Sequence, residues 1–415
     1  MPNTDKTLME KGIYFTYDEV LKAYDDCIKN KRNSSNAIHF NINKLENLIQ
    51  LCNDVNDGSY KIGMSITFIV KFPVYREVFA ADFRDRVIHH LVMNELMPLI
   101  DKNFIDNSFS CRDGKGVMHG VSTMEKEIRE YSNNYTKDLW IAKMDIKSFF
   151  MSIRKEHLAN MMDEFIVEHY PDNRKKEKLR WLCRLIIMHH SEKLCVRKGD
   201  IKAWEKLAKG KSLFDVGETC GLPIGNLTSQ IFANFYLTPL DNFITKTLGF
   251  IHYGRYVDDF LIISDSKEKL KLAIPYICDF AKRFLYVRIH PDKRYMQHYS
   301  KGVRFIGGII KPYRKYILNR TKGSFYFKMT HEFKQVNPEL AERLVCVVNS
   351  YLGFFRFYAS YRLRKRMLTK MGLLDAWIEA GYIVICKDYK KIKLVKKKLP
   401  EYRSVNDIPI LQPNE

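Results

Sequence analysis

The chain has 415 residues, 46% of them hydrophobic, enough for two or three lobes with a sizeable core and too many for a disordered tail protein. Its 69 Lys and Arg against 48 Asp and Glu leave a formal net charge of +21, spread along the chain. Self-repulsion on that scale points to a polyanionic partner, nucleic acid first, with a membrane surface or a plain solvated surface as the competing readings.

The opening MPNTDKTLMEKG lacks the apolar core of a signal peptide, and no run of about 18 apolar residues suggests a membrane span. Nine cysteines are scattered singly from Cys27 to Cys386 without a CxxC pair, as expected of free thiols in a reducing cytoplasm. Residues 17 to 30 repeat apolar positions at helical spacing, and 43 to 52 form a second short helix. SITFIVKFPVYREVFAA reads as strand, a break at Pro73, and strand. Asp85 to Ile100 is expected to be an amphipathic helix with an acidic start.

LWIAKMDIKSFF, Leu139 to Phe150, is a core strand running into a turn, and the lysine-rich stretch from Glu192 to Glu218 reads as an exposed excursion. GLPIGNLTSQIFANFYLTPLDNFI opens on Gly and Pro and settles into a helix. HYGRYVDDFLIIS, His252 to Ser264, is strand, tight turn and strand; residues 267 to 287 make a helix, and GVRFIGGIIKPYRKYIL a further hairpin. After about residue 330 the chain is expected to be helical and basic, ending in KDYKKIKLVKKKLPEYR. Strand, helix, hairpin, helix, hairpin over residues 139 to 320 gives an α+β fold class with an antiparallel sheet.

Asp258 and Asp259 stand where the apolar strands of RYVDDF meet. Neighbours on a regular strand point to opposite faces, but a turn can present both carboxylates on one rim. Taken alone, a DD pair is an ordinary hairpin turn. Asp145 closes another apolar strand in the same way, and the three together would suit Mg²⁺, with two ions about 3.5–4 Å apart.

Several segments together resemble the reverse transcriptases. YVDDF resembles their YxDD hairpin, DIKSFF their first palm motif, and GLPIGNLTSQ the segment that carries an LPQG-type sequence in many members. IHPDK and GVRFIGG follow in the family's order as last palm motif and primer grip, and VKFPVYREVFAADFRDRVIHH resembles the fingers motifs. The resemblance is nearest to reverse transcriptases of diversity-generating retroelements, which carry an aliphatic residue at the usual glutamine position followed by GxxxSQ. Here Ile224 precedes GNLTSQ, and DRVIHH and KSLF also look like that group.

The resemblance implies a right-hand polymerase, fingers–palm–thumb, with an antiparallel palm sheet and a helical thumb. Residues 1–60 would form an N-terminal helical region, 61–136 the fingers, 137–320 the palm with a fingers-side excursion at about 158–220, and 321–415 a basic helical thumb and tail. It implies catalysis by Asp145, Asp258 and Asp259, binding two Mg²⁺ (Mn²⁺ could substitute) with the Ile146 carbonyl. Lys71, Arg76, Phe150, Ile224, Gly225 and Lys293 would face the dNTP: Arg76 and Lys71 on the triphosphate, Phe150 as a gate against a ribose 2′-hydroxyl, Lys293 as proton donor to pyrophosphate. Phe305, Ile306, Gly307 and Gly308 would grip the primer. An aliphatic Ile224 can pack but not hydrogen-bond, which should loosen discrimination.

Implied partners are an RNA template, a DNA or RNA primer, dNTPs, a retroelement RNA and a basic accessory oligomeric protein, in the cytoplasm of a bacterial or phage-encoded system, with no membrane. Anti-phage defence, retron and group II intron-type reverse transcriptases would share every catalytic residue. A diguanylate cyclase would need a GG[DE]EF-type turn, which is missing, and a non-catalytic scaffold would not need three intact aspartates. His89–His90 and His189–His190 sit in apolar helical surroundings and are read as structural, CRDGKGVMHG as a fingers loop lacking P-loop spacing, and the basic tail 387–398 as a primer–template contact.

Overall fold

A capping box starts the first helix of the computed structural model, which describes residues 14 to 395 apart from 30, 33, 72 and 73. Thr16 Oγ1 accepts from the Glu19 amide at 3.3 Å and Glu19 Oε2 accepts from the Thr16 amide at 2.8 Å, fixing the start of Tyr17–Ile28. Ser35–Ile42 and Lys44–Asp57 follow as helices. The helix expected over Asp85 to Ile100 spans Phe83–Asn103, capped by Asp82, and it is not amphipathic. Val87, Ile88, His89, Leu91, Val92 and Met93 are all buried, on every face, because Tyr17–Ile28, Ser35–Ile42, Asn173–Met188 and Leu227–Tyr236 press on it from several sides.

The strands form four small sheets among the described residues. β1 (Ser65–Val70) and β2 (Arg76–Ala80) pair antiparallel, with Val70 opposite Arg76. β3 (Trp140–Asp145) lies in the largest sheet, whereas β4 (Cys195–Arg197) adds in parallel to β1, Ser65 opposite Cys195. The stretch expected as an exposed excursion is exposed over most of its length, and its first strand is built into the β1–β2 sheet. Its next portion, through the short turns Ile201–Lys206 and Leu213–Asp215, is fastened to the buried Glu77 of β2.

The largest sheet runs β5 (Tyr253–Tyr256), β6 (Asp259–Ser264), β3, β7 (Tyr295–His298), every pair antiparallel, as the α+β reading expected. Ala142 and Met144 of β3, with Phe260 and Ile262 of β6, are fully buried in the main core. Each such burial of a Met, Phe or Ile is worth about 1.5–3 kcal/mol. Lys267–Phe284 packs on β3 and β6.

The chain divides into two compact units, the first ending at Lys301 and the second starting at Gly302. In the second, β8 (Val303–Phe305), β9 (Gly308–Lys311) and β10 (Arg314–Ile317) form an antiparallel sheet, followed by helices including Asn319–His331 and Ala341–Phe355. Phe325, Leu344, Val348, Leu352 and Trp377 are buried in it. The chain beyond residue 330 is not wholly helical: β11 (Ile383–Ile385) and β12 (Ile392–Leu394) form a hairpin. Asn349 ties it down, donating to the Ile392 carbonyl at 3.0 Å and accepting from its amide at 2.9 Å. Residues 396–398 of the basic tail lie outside the described residues. All nine cysteines are free thiols, and no helix among the described residues is long and apolar enough to cross a membrane.

Candidate active site

The pleat explains how an apolar sheet carries aspartates. Asp145 stands opposite Asp259, and Lys143 opposite Leu261, on the face turned away from Ala142, Met144, Phe260 and Ile262. Asp145 ends β3 and Asp259 begins β6. Tyr256 pairs with Asp259, so the connecting turn is Val257–Asp258, not the Asp-Asp tip that the sequence suggested. Val257 has φ +55°, a left-handed conformation costly for a β-branched side chain.

A buried polar network holds that turn. The Val257 amide donates to Ser110 Oγ at 3.2 Å, and its carbonyl accepts from Arg255 Nη1 at 3.2 Å. Arg255 is fully buried, donating through Nε and Nη2 to Asp241 Oδ1 and Oδ2 at 2.7 and 2.5 Å, and through Nη1 to Asn234 Oδ1 at 2.7 Å. Tyr253 Oη adds a 2.7 Å bond to the same Asp241 oxygen as Nε. Sequence reasoning passed over all of these; the one signal was an arginine inside an otherwise apolar strand.

The two tips are fastened together, the Ile146 amide donating to the Asp258 carbonyl at 3.1 Å. Burial raises the Asp258 carboxyl above the usual carboxylate range, and the charge on Asp145 raises it further. Burial pushes Asp259 up to about 6 against the opposing pull of Lys143, whose ammonium is paired with it. Lys293 Nζ donates to Asp145 Oδ2 at 2.8 Å, from a short turn seated by the His290 amide on the Asp145 carbonyl at 2.7 Å. Lys143, two residues before Asp145 on one strand face, was also missed by the sequence reading; strand alternation could have found it. Among the described residues no three or more His, Cys, Asp or Glu side chains form a ready-made metal cage, at the histidine pairs or here.

A small apolar cluster stands apart from the main core. Phe79, Met151 and Leu213 form a buried cluster with Phe150, Ile224, Phe214 and Val216 packed on it. The Phe79 amide donates to the Ile224 carbonyl at 2.7 Å, bringing β2 onto the GLPIGN segment. Gly225 has φ +122°, and a β-carbon there would come within 2.6 Å of the Phe79 carbonyl oxygen, so only glycine fits. Lys211, from the loop fastened to Glu77, joins Lys293 in the electrostatic surroundings of Asp258, and Arg76, at the exposed start of β2, acts in turn on Lys211. Lys211 was not foreseen as a site residue. Lys71 is exposed past the end of β1, and no contact among the described residues brings it to the aspartates. Phe305, Ile306, Gly307 and Gly308 form the β8–β9 turn in the second unit, with Ile306 and Gly307 at φ +45° and +82°.

The family described as reverse transcriptase (RNA-dependent DNA polymerase) matches residues 73–310. Among solved structures, the telomerase of Candida albicans in complex with a TWJ fragment of telomeric RNA is similar at a TM-score of 0.42 and 12% identity, covering 76% of this chain and 59% of that one. Apo telomerase of Candida tropicalis is similar at 0.44 and 15% identity, covering 71% of this chain and 53% of that one. The chain thus spans between half and two thirds of the length of these proteins. No curated protein matches it. The family's pattern takes in Asp145 and the Val257–Asp258 turn along with more than half of the residues, and the chain belongs to the reverse transcriptase (RNA-dependent DNA polymerase) family.

Proposed function

We propose that this chain is an RNA-directed DNA polymerase that makes cDNA from an RNA template. The observation that carries this is the juxtaposition of Asp145 and Asp258 at two strand tips joined by the Ile146–Asp258 hydrogen bond, inside the family match. A pair of Mg²⁺ ions fits there. The donors are hard oxygens, burial and the charge on Asp145 raise the cost of ionising Asp258, and Lys293 and Lys143 are drawn onto the cluster as cations. Asp145 and Asp258 would hold both ions, with the Ile146 carbonyl and Asp259 in support and Mn²⁺ able to substitute. Mg²⁺ commonly uses one or two carboxylates plus substrate phosphates, which suits a site without a full protein cage. When bound, the ions offset charge at the attacking 3′-hydroxyl, the α-phosphate and the departing pyrophosphate.

The chain's own residues then position the reactants. Arg76, with Lys71, neutralises the triphosphate, and Lys293 donates a proton to pyrophosphate once released from Asp145. Phe150 would act as the gate that excludes a ribose 2′-hydroxyl, Ile224 and Gly225 would line the base-pair side, and Phe305 to Gly308 would grip the primer. Residues 61–136 serve as fingers, 137–320 as palm and 321–415 as thumb and tail, after the N-terminal region 1–60. At a finer level we assign the chain to a mutagenic, diversity-generating retroelement, working with its RNA and a basic accessory protein. Ile224 supports this, since it lies on an apolar cluster and offers no polar group to a base pair.

Sequencing cDNA made on a defined RNA template tests both levels. Errors concentrated opposite adenine, reduced by Ile224→Gln, are expected. Accurate cDNA from the wild type would remove the mutagenic role and leave a defence, retron or intron-type enzyme. Absence of cDNA in Mg²⁺ and in Mn²⁺ would remove the polymerase.

A further inference from the structure

One lysine near the aspartates is held from both sides. Upstream of it, Gly210 lies against the turn after Asp145, where an added β-carbon would come 3.7 Å from Ser148 Oγ. Downstream, Ser212 Oγ and the Leu213 amide donate to the buried Glu77 carboxylate at 2.9 and 2.6 Å, and Trp204 Nε1 adds a third bond at 2.7 Å. Glu77 directly follows Arg76, and Leu213 is buried against Phe79 and Met151. Lys211 therefore sits between the Asp145 turn and the Arg76 strand.

Its surroundings are those of a phosphate ligand. Lys211 is exposed, yet its ammonium lies in the field of Asp258, Asp145, Lys293 and Arg76. Lys143 and Lys293 are paired with Asp259 and Asp145, whereas Lys211 has no carboxylate at ion-pairing distance among the described residues. A solvated surface lysine would not need its neighbours fixed to two different elements. A compact ammonium on a flexible stem also suits a triphosphate, whose oxygens change orientation as pyrophosphate departs.

We propose that Lys211 is a further nucleotide-binding residue, contacting the triphosphate of the incoming dNTP together with Arg76; this rests on the chain's being a dNTP-consuming polymerase. The loop carrying it, fastened by Glu77, is then a wall of the nucleotide pocket. Anchoring through Glu77 couples the two cations, because one hydrogen-bonded carboxylate fixes the residue next to each.

The test is single-nucleotide extension of a primer on an RNA template with the dNTP concentration varied, using wild type, Lys211→Ala, Lys211→Arg and Lys209→Ala. Loss of one charge-assisted contact should raise KM for dNTP by about 10–100-fold in Lys211→Ala, with a smaller change in kcat. Primer–template affinity and melting temperature should stay as in wild type, Lys211→Arg should recover most of the loss, and Lys209→Ala should behave as wild type. If Lys211→Ala fails to fold, Lys211→Gln carries the same comparison. Unchanged KM in the folded variant would overturn the proposal, as would a loss confined to primer–template affinity. Equilibrium dialysis of dNTP with Mg²⁺ separates the levels. A wild type that binds dNTP without extending keeps Lys211 testable by binding alone, and weaker binding in Lys211→Ala supports it. A wild type that neither binds nor extends overturns the polymerase reading and this proposal together.

Discussion

Val257 at φ +55° is a local cost that the buried Arg255–Asp241–Asn234 network holds in place. Arg255→Met is expected to lose about 3–5 kcal/mol in urea unfolding, because Asp241 would stay buried without its cation. A loss below about 1 kcal/mol would mean that the turn needs no such support. His89 sets a pH dependence of its own. It is fully buried near His90, Arg86, His189 and Lys31, and burial pushes it down to about 3. A base with a depressed folded pKa contributes stability above its unfolded value near 6.5, and that contribution fades as pH falls toward 3. Between pH 7 and pH 5 the wild type should therefore lose about 2 kcal/mol more than His89→Gln. Equal losses would mean that His89 is charged in the fold. The aspartates stood out because Asp145 ends an apolar strand and the Asp258–Asp259 pair interrupts an apolar run, a pattern local to a few residues. Arg255 did not, since its partners Asp241 and Asn234 come from helical segments whose meeting with β5 no sequence spacing announces.

The segment from Glu192 to Glu218 is exposed over most of its length, as its composition suggested, but nothing local in the sequence showed what anchors it. Its lysine-rich composition read as an exposed excursion; within it β4 joins β1 and Glu77 gathers three donors. Glu77→Gln puts a donor among donors, so tryptic cleavage at Lys209 and Lys211 should speed up about tenfold, the opening expected from roughly one lost hydrogen bond. An unchanged cleavage rate would contradict the anchoring role. The same blindness to long-range partners made Phe83–Asn103 look amphipathic, when four helices cover it, and hid the hairpin of β11 and β12, which depends on Asn349. Short-range signals fared better: the helix expected from residue 17, the strand running to Asp145 and the hairpin of His252 to Ser264 all fell where the structure has them.

Across the whole molecule, +21 of net charge is the most visible sequence feature, and it predicts a strong salt dependence. Affinity for a primer–template duplex should fall linearly on a log–log plot against salt, by about 10³–10⁵-fold between 50 and 200 mM if six to ten phosphates are contacted. A flat dependence would mean that the positive charge faces something other than nucleic acid. The α+β class and the antiparallel sheet were legible from element order, because hairpins and helices alternate without long gaps. GVRFIGG was legible as hairpin sequence, and Ile306 and Gly307 form the turn between β8 and β9 in the second unit. The most direct test of the central claim is primer extension on an RNA template with dNTPs and Mg²⁺, wild type beside Asp258→Asn. RNA-templated DNA from the wild type, reduced at least about a thousandfold in the variant, is the predicted result, since the site would lose half of its principal carboxylate pair. Equal synthesis by both proteins would contradict it, for the chemistry would then lie away from the joined tips of β3 and the Val257–Asp258 turn.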